Sequence, residues 1–140
     1  MTTQQEQRPI PVPDASSAPF FDGAKQGRLM MQRCKNCGAW HHPVRTYCDD
    51  CLSPNLVWQQ ASGRGEVYNF ALMHYVYHPA FAKEVPYNLT VVKLEEGPLV
   101  ETNLIECKNS EIKIGLPVEV TYVKLSDEVT VPKFRPAGKR

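Results

Sequence analysis

The sequence has no long apolar run. Its longest stretch without Lys, Arg, Asp or Glu covers residues 67–82, and it contains Asn69, His74 and His78. Such a stretch is too short and too polar to cross a bilayer as a helix. An excess of one charge is also missing, because 16 Lys and Arg face 15 Asp and Glu, a formal net charge of +1. That balance excludes an acidic-tail protein and a basic wrapper of nucleic acid. The first residues, Met1-Thr2-Thr3-Gln4-Gln5-Glu6, offer neither a basic n-region nor an apolar h-region. No secretory leader is expected, and the expected compartment is the reducing cytoplasm. Conventional catalytic signatures are absent: there is no G-x-S-x-G, no Walker loop and no H-E-x-x-H. Ser62-Gly63-Arg64-Gly65-Glu66 is too short for a dinucleotide fingerprint and reads as a bulge or turn on a strand. No internal repeat occurs.

Proline is plentiful, at 12 of 140 residues, against a usual ~5%. Abundant proline points to short elements, not to a long-helix bundle. A hydrophobic share of 42% is ample for a core. The length suits one compact domain or two very small ones.

Five cysteines carry the first positive signal. Cys34, Cys37, Cys48 and Cys51 form C-x2-C-x10-C-x2-C, and Cys107 stands apart. In a reducing compartment this spacing reads as a zinc site, with two disulfides or a redox pair as the rival readings. Two thiolates separated by two residues can point into one tight turn, and two such knuckles complete a tetrahedron. Gly38 follows the first knuckle and can take the positive φ such a turn needs, whereas Leu52 follows the second and gives no such help. Four sulfurs close the coordination shell, so the expected role is structural. Cys107 reads as a small buried hydrophobe rather than a nucleophile. Residues 23–47 hold Lys25, Arg28, Arg33, Lys35 and Arg45 with no acidic residue. They offset the charge of a tetrathiolate site, and a nucleic-acid patch is the competing reading.

Residues 1–18 read as an extended Pro-rich arm with Pro9, Pro11 and Pro13. Residues 19–26 predict a short helix, with Ser17 as cap, Pro19 in the first turn and Gly27 as stop. Its Phe20 and Phe21 form a sticky face. Residues 29–33 and 40–43 predict ribbon strands, so residues 19–54 form the helix and a rubredoxin-like zinc ribbon. Residues 55–136 then predict a barrel, with strands at 57–60, 66–76, 87–94, 99–105, 118–125 and 129–134. One helical turn is expected within 108–116, and residues 137–140 form a basic tail. The fold class is mainly β: a short helix, a zinc ribbon and a five- to six-stranded OB-fold barrel.

Six of the 13 aromatic residues fall between residues 67 and 87: Tyr68, Phe70, Tyr75, Tyr77, Phe81 and Tyr87. Pro79 and Pro86 mark a loop at residues 75–86, which also holds His78. A loop rich in Tyr, His and Phe is costly to expose, so it should pack on a partner or ligand. The competing reading makes Phe81 a plug in one end of the barrel. His78 could serve in acid–base chemistry, and Pro79 disfavours a helical metal pair with His74.

These residues occur in a recognisable order: Phe20-Phe21-x-Gly23-x-x-x-Gly27-Arg28-Leu29, Gln32-Arg33-Cys34-x-x-Cys37-Gly38, Cys48-x-x-Cys51, Ser62-Gly63-Arg64-Gly65-x-Val67-Tyr68, His78-Pro79-Ala80-Phe81, Val85-Pro86-Tyr87, Ile114-Gly115-Leu116-Pro117-Val118 and Phe134-Arg135-Pro136. From residue 18 to residue 136 the chain resembles the acyl-CoA-associated family with an N-terminal rubredoxin-like zinc ribbon and a C-terminal OB-fold. The resemblance implies a non-catalytic accessory subunit of a thiolase-like enzyme complex, engaged in acyl transfer or in thiolytic or retro-aldol carbon–carbon chemistry. It also implies a structural Zn2+ and a hetero-oligomer that borders an acyl-CoA channel. On this basis Phe20, Phe21, Tyr75, Tyr77, His78, Pro79, Phe81 and Pro86 are expected at the partner surface or channel. Arg64, Phe134 and Arg135 are expected to meet phosphates or acidic partner groups. The alternative is a single-stranded nucleic-acid-binding OB module. Residues 63–140 hold ten basic and ten acidic residues, which gives no electrostatic funnel for nucleic acid.

Overall fold

A computed structural model describes residues 9–138. The start of the Pro-rich arm and the last two residues of the basic tail lie outside the described residues. The elements run α1 (Ala18–Lys25), β1 (Met30–Cys34), β2 (Trp40–His41), β3 (Leu56–Gln60), β4 (Arg64–Met73), β5 (Tyr87–Leu94), β6 (Leu99–Thr102), β7 (Pro117–Lys124) and β8 (Thr130–Pro136). Short 3-10 turns lie at Pro79–Phe81 and Asn109–Glu111. The chain is mainly β, as expected, and the one helical turn of residues 108–116 is the second of these.

α1 begins where Ser17 stands at the cap position, but the Ser17 hydroxyl makes no capping bond to the helix. Asp14 organises the entry instead. Its carboxylate accepts from the Ser16 and Ser17 amides, each at 3.0 Å. Gly27 stops the helix at φ 74°. α1 packs against β1, β7 and β8 and so sits between the two halves of the molecule.

Two antiparallel sheets follow. The first has the order β2-β1-β3. The strand expected to open the barrel therefore pairs with the ribbon, in register from Met30↔Gln60 to Cys34↔Leu56. β2 is only two residues long, so β1 needs a full-length partner on its other edge to satisfy its backbone groups. The second sheet has five strands in the order β6-β5-β4-β7-β8. It curls into an OB-like half-barrel. A bulge between Val67 and Asn69 in β4 sharpens the curl. Gly65 belongs to the same corner. A Cβ there would lie 2.3 Å from the Lys93 carbonyl oxygen, so only glycine lets the two strands approach.

The barrel seam is closed by a side chain. Asn88 on β5 is buried, and its Nδ2 donates to the Leu104 carbonyl at 2.9 Å while its Oδ1 accepts from the Leu104 amide at 2.7 Å. The Thr90 hydroxyl donates to the same Oδ1 at 2.8 Å. The Asn88 amide thus replaces a backbone neighbour and holds Leu104 in place. Leu104 in turn bridges Phe134 on β8 in parallel. One apolar cluster runs through both halves. It joins Leu29 and Met31 of the ribbon side to Val67, Val92, Leu94, Val100, Val118 and Phe134 of the barrel.

Asn88→Ala leaves both Leu104 backbone groups without their partner. It is expected to cost about 2–3 kcal/mol, since each buried orphan costs ~1–3 kcal/mol. Urea denaturation checks the loss; a change below about 0.5 kcal/mol contradicts the seam.

Candidate metal centre and aromatic loop

The structure brings the four predicted cysteines together. Their sulfurs all lie within 4.8 Å of one another. Cys34 and Cys51 are 3.6 Å apart and Cys37 and Cys48 are 3.5 Å apart. A tetrahedron with metal–sulfur bonds near 2.3 Å has edges of about 3.8 Å, so this set fits one four-coordinate ion. No pair is joined as a disulfide. Cys34 and Cys48 are buried, whereas Cys37 and Cys51 face outward.

Each knuckle is built by local backbone geometry. The Gly38 amide donates to the Cys34 carbonyl at 2.9 Å, and the Leu52 amide repeats this on Cys48 at 2.9 Å. Both closing residues take positive φ, Gly38 at 80° and Leu52 at 65°. The turn geometry is therefore the same in the two knuckles, and a β-carbon strains only the second. The Cys34 thiol is held down at about 6, first by the Cys37 amide and also by the Asn36 amide and its Cys51 and Cys37 neighbours. Cys37 receives the Ala39 amide, but the adjoining Cys48 sulfur and burial outweigh it and push its thiol up to about 12. Without a cation, neighbouring sulfurs hold protons because adjacent thiolates repel. A bound divalent ion removes that conflict.

Two of the cations around the centre, Arg33 and Arg45, are engaged. Arg33 lies over Trp40 at 5.1 Å and donates to the Gly38 carbonyl at 3.1 Å. Arg45 pairs with Asp49 at 2.6 Å. His42, one turn away, stacks on Phe20 at 5.5 Å. Burial, with Arg45 nearby, holds its imidazole below the ordinary value, toward the neutral form. Phe20 and Phe21 are half-buried and, with Met31, His41, Pro43 and Trp58, line an apolar slot of about 200 Å³.

The aromatic loop divides into an exposed part and a structural part. Tyr75 and Tyr77 are 68% and 70% exposed and pack edge-on to each other at 4.7 Å. Phe81 is half-buried and turns onto His78 at 5.9 Å and Tyr87 at 6.1 Å. The plug reading thus fits Phe81, and the exposed aromatic surface belongs to the two tyrosines. His78 Nδ1 accepts from the Ala80 amide at 3.0 Å and caps the turn that Pro79 begins. The Pro86 carbonyl accepts from Asn109 Nδ2 at 2.9 Å. Beneath the loop runs a groove of about 1030 Å³, lined by Phe81, Tyr87, Asn88, Leu104 and Lys133, with residues 9–11 of the arm along it.

Phe134 is corrected. Sequence order places it with Arg135 at the surface, yet its side chain is fully buried. The alternation of β8 sends residue 134 inward opposite Val120 and residue 135 outward opposite Glu119. Arg135 pairs with Glu119 at 2.9 Å and Glu106 at 3.4 Å. Arg64 is exposed and pairs with Glu95 at 3.2 Å. Cys107 is half-buried against the core, as a small hydrophobe would be. Asn88 was not legible as a key residue, since nothing in sequence separates a seam-closing asparagine from a strand-edge one.

Two outcomes are expected of this centre. Leu52→Gly relieves the left-handed strain at a residue 76% exposed. It should raise stability by about 1 kcal/mol in the metal-loaded protein, as read by denaturant titration; a loss would show that the Leu52 side chain packs. Treatment with a strong chelator should abolish the β1–β3 amide protection in hydrogen exchange, and full retention would contradict a metal-dependent ribbon.

The comparisons agree with this architecture. Residues 21–57 match the description "ChsH2, rubredoxin-like zinc ribbon domain", and residues 58–123 match "ChsH2, C-terminal OB-fold domain". A probable enoyl-CoA hydratase alpha subunit of Thermomonospora curvata is 39% identical over 141 residues, which is 97% of this chain and 44% of that one. This chain therefore spans less than half the length of that relative. A DUF35 domain-containing scaffold protein of Methanocaldococcus jannaschii is 32% identical over 101 residues, 71% of each chain. Among solved structures, a chain of the Ltp2-ChsH2(DUF35) aldolase superposes with a TM-score of 0.80 at 38% identity, covering 91% of this chain and 99% of that one. The paired knuckles, the ribbon sheet and the curled five-stranded sheet thus have a common source: the chain belongs to the ChsH2-like DUF35 family of zinc-ribbon and OB-fold proteins.

Proposed function

We propose that this chain is a non-catalytic accessory subunit of a thiolase-like acyl-CoA enzyme complex. One observation carries the proposal. A chain of the solved Ltp2-ChsH2(DUF35) aldolase, covered over 99% of its length, shares 38% identity and the whole architecture with this one. The geometry supports it in three ways. The cysteine cluster has a closed set of four sulfur donors, which suits structural Zn2+ and leaves no open position for substrate. When bound, that ion supplies a fold constraint and no acid–base chemistry. The histidine of the aromatic loop is committed to capping a turn. Tyr75 and Tyr77 present an exposed aromatic pair of the kind that anchors protein interfaces.

In this reading the ribbon and barrel form a rigid platform. The tyrosine pair, with Phe20 and Phe21 at the helix, contacts the catalytic partner, which brings its own nucleophile and base. The groove beneath the loop borders the path of the acyl-CoA. Arg64 and Arg135 already have carboxylate partners, which weighs against a phosphate role and against a nucleic-acid groove. No helix among the described residues is long and apolar enough to cross a membrane. A second reading has its own observation: the 39% identical relative is named a hydratase alpha subunit. The partner then carries a hydratase rather than a carbon–carbon lyase.

Co-expression with candidate thiolase-like and hydratase partners distinguishes these readings. We expect a stable complex whose acyl-CoA activity falls at least about tenfold when this chain is omitted. The double substitution Tyr75→Ser and Tyr77→Ser should weaken the complex by about tenfold or more, since each buried interface aromatic contributes ~1 kcal/mol or more. It should leave the denaturation midpoint unchanged. Full activity of the partner alone would overturn the proposal.

A further inference from the structure

The cysteine pattern accounts for four ligands but not for the imidazole beside them. His41 lies on β2, opposite Gln32, and is 7% exposed. Its Nε2 is 3.2 Å from Cys48 Sγ. The four sulfurs otherwise receive backbone amides from the residues two or three positions on. Cys34 receives Cys37 and Asn36, Cys37 receives Ala39, Cys48 receives Asp50 at 3.3 Å, and Cys51 receives Ser53. Among the described residues, Cys48 alone also has a side-chain nitrogen.

The direction of that hydrogen bond follows from chemistry. A coordinating cysteine is a thiolate and carries no proton to give. The nitrogen facing it must therefore hold the hydrogen. The set of atoms within mutual ligand distance comprises the four sulfurs and does not include His41. The imidazole is thus placed to act on a ligand and not as one. A bound divalent ion with four thiolates leaves the site with excess negative charge in a partly buried place. A donor aimed at a buried sulfur draws off part of that charge and favours the Cys48 rotamer that faces it.

We propose that His41 is a positioning residue of the metal centre, its Nε2–H donating to Cys48 Sγ. The proposal rests on the tetrathiolate reading given above. It has a chemical corollary. Cys48 becomes the least nucleophilic of the four sulfurs, and the outward Cys37 and Cys51 are the ones that electrophiles reach first.

The test uses the full chain with Zn2+, Co2+ and 113Cd2+. In the 113Cd-loaded wild type, the His41 Nε2 proton should show scalar coupling to cadmium through Sγ. The Phe variant, His41→Phe, should bind Zn2+ about tenfold or more weakly in a chelator competition, in line with the ~10–100-fold effect of such second-layer partners. Its Co2+ derivative should show thiolate charge-transfer bands moved to lower energy. His41→Gln, which retains a donor, should restore much of both. A protonated Nδ1 with a bare Nε2, or unchanged Co2+ bands in both variants, overturns the proposal while leaving the metal reading intact. Failure of the wild type to bind any of the three ions overturns both. If His41→Phe does not fold, the cadmium coupling in the wild type decides by its presence or absence.

Discussion

Four sulfurs confined to one small volume are the constraint on which the N-terminal half depends. The ribbon has little else to hold it. One of its strands is two residues long, and its buried side chains beyond the cysteines are few: Leu29, Met31, Gln32, His41 and Ser53. Such a segment cannot bury enough apolar surface to offset the entropy of ordering its turns. The knuckles become worthwhile only when their sulfurs share a cation. β1 carries this constraint onward. Its Cys34 end reaches the sulfur cluster, while Met31 enters the apolar cluster that continues into the barrel. The metal centre and the barrel core are therefore two ends of one strand.

The barrel solves a different problem, that of a curled five-stranded sheet whose edge strands do not meet along their length. Glycine at residue 65 and the bulge in β4 permit the curl. Asn88 then holds Leu104 to β5 with its side chain, while the backbone of residues 103–105 pairs onward with Phe134 of β8. A polar side chain in that position would be costly unless fully bonded, and here both its donor and its acceptor are engaged. The groove runs beside this seam and is lined in part by its residues Asn88, Asn103, Leu104 and Lys133.

Charge organisation separates the two functional readings. The conspicuous cations of the barrel, Arg64 and Arg135, are spent on Glu95, Glu106 and Glu119. With these two arginines paired, and ten acidic residues balancing ten basic ones over residues 63–140, the barrel offers no electrostatic funnel for a polyanion. Its aromatic loop exposes a pair of tyrosines. Apolar rings with a polar edge favour a protein surface that can desolvate them. That combination, a rigid platform with a small aromatic contact, fits a scaffold that acts through its partner.

Much of this was legible in sequence because it depends on local spacing. The C-x2-C pairs fix the metal ligands, since two residues between thiolates set the knuckle geometry. The expected strand at residues 87–94 coincides with β5. Gly38 and Leu52 mark the same turn with unequal strain. Other features were decided only by tertiary structure. Whether residues 56–60 join the ribbon or the barrel depends on which edge lacks a partner, and β1 had the open edge. Phe134 is core because strand parity turns it inward, although its neighbours in sequence belong to the surface. Asn88 and His41 owe their roles to what folding sets across from them, a distant backbone in one case and a sulfur in the other. Sequence determines which groups can bond; only the folded chain decides which of them meet, because those contacts join residues far apart along it.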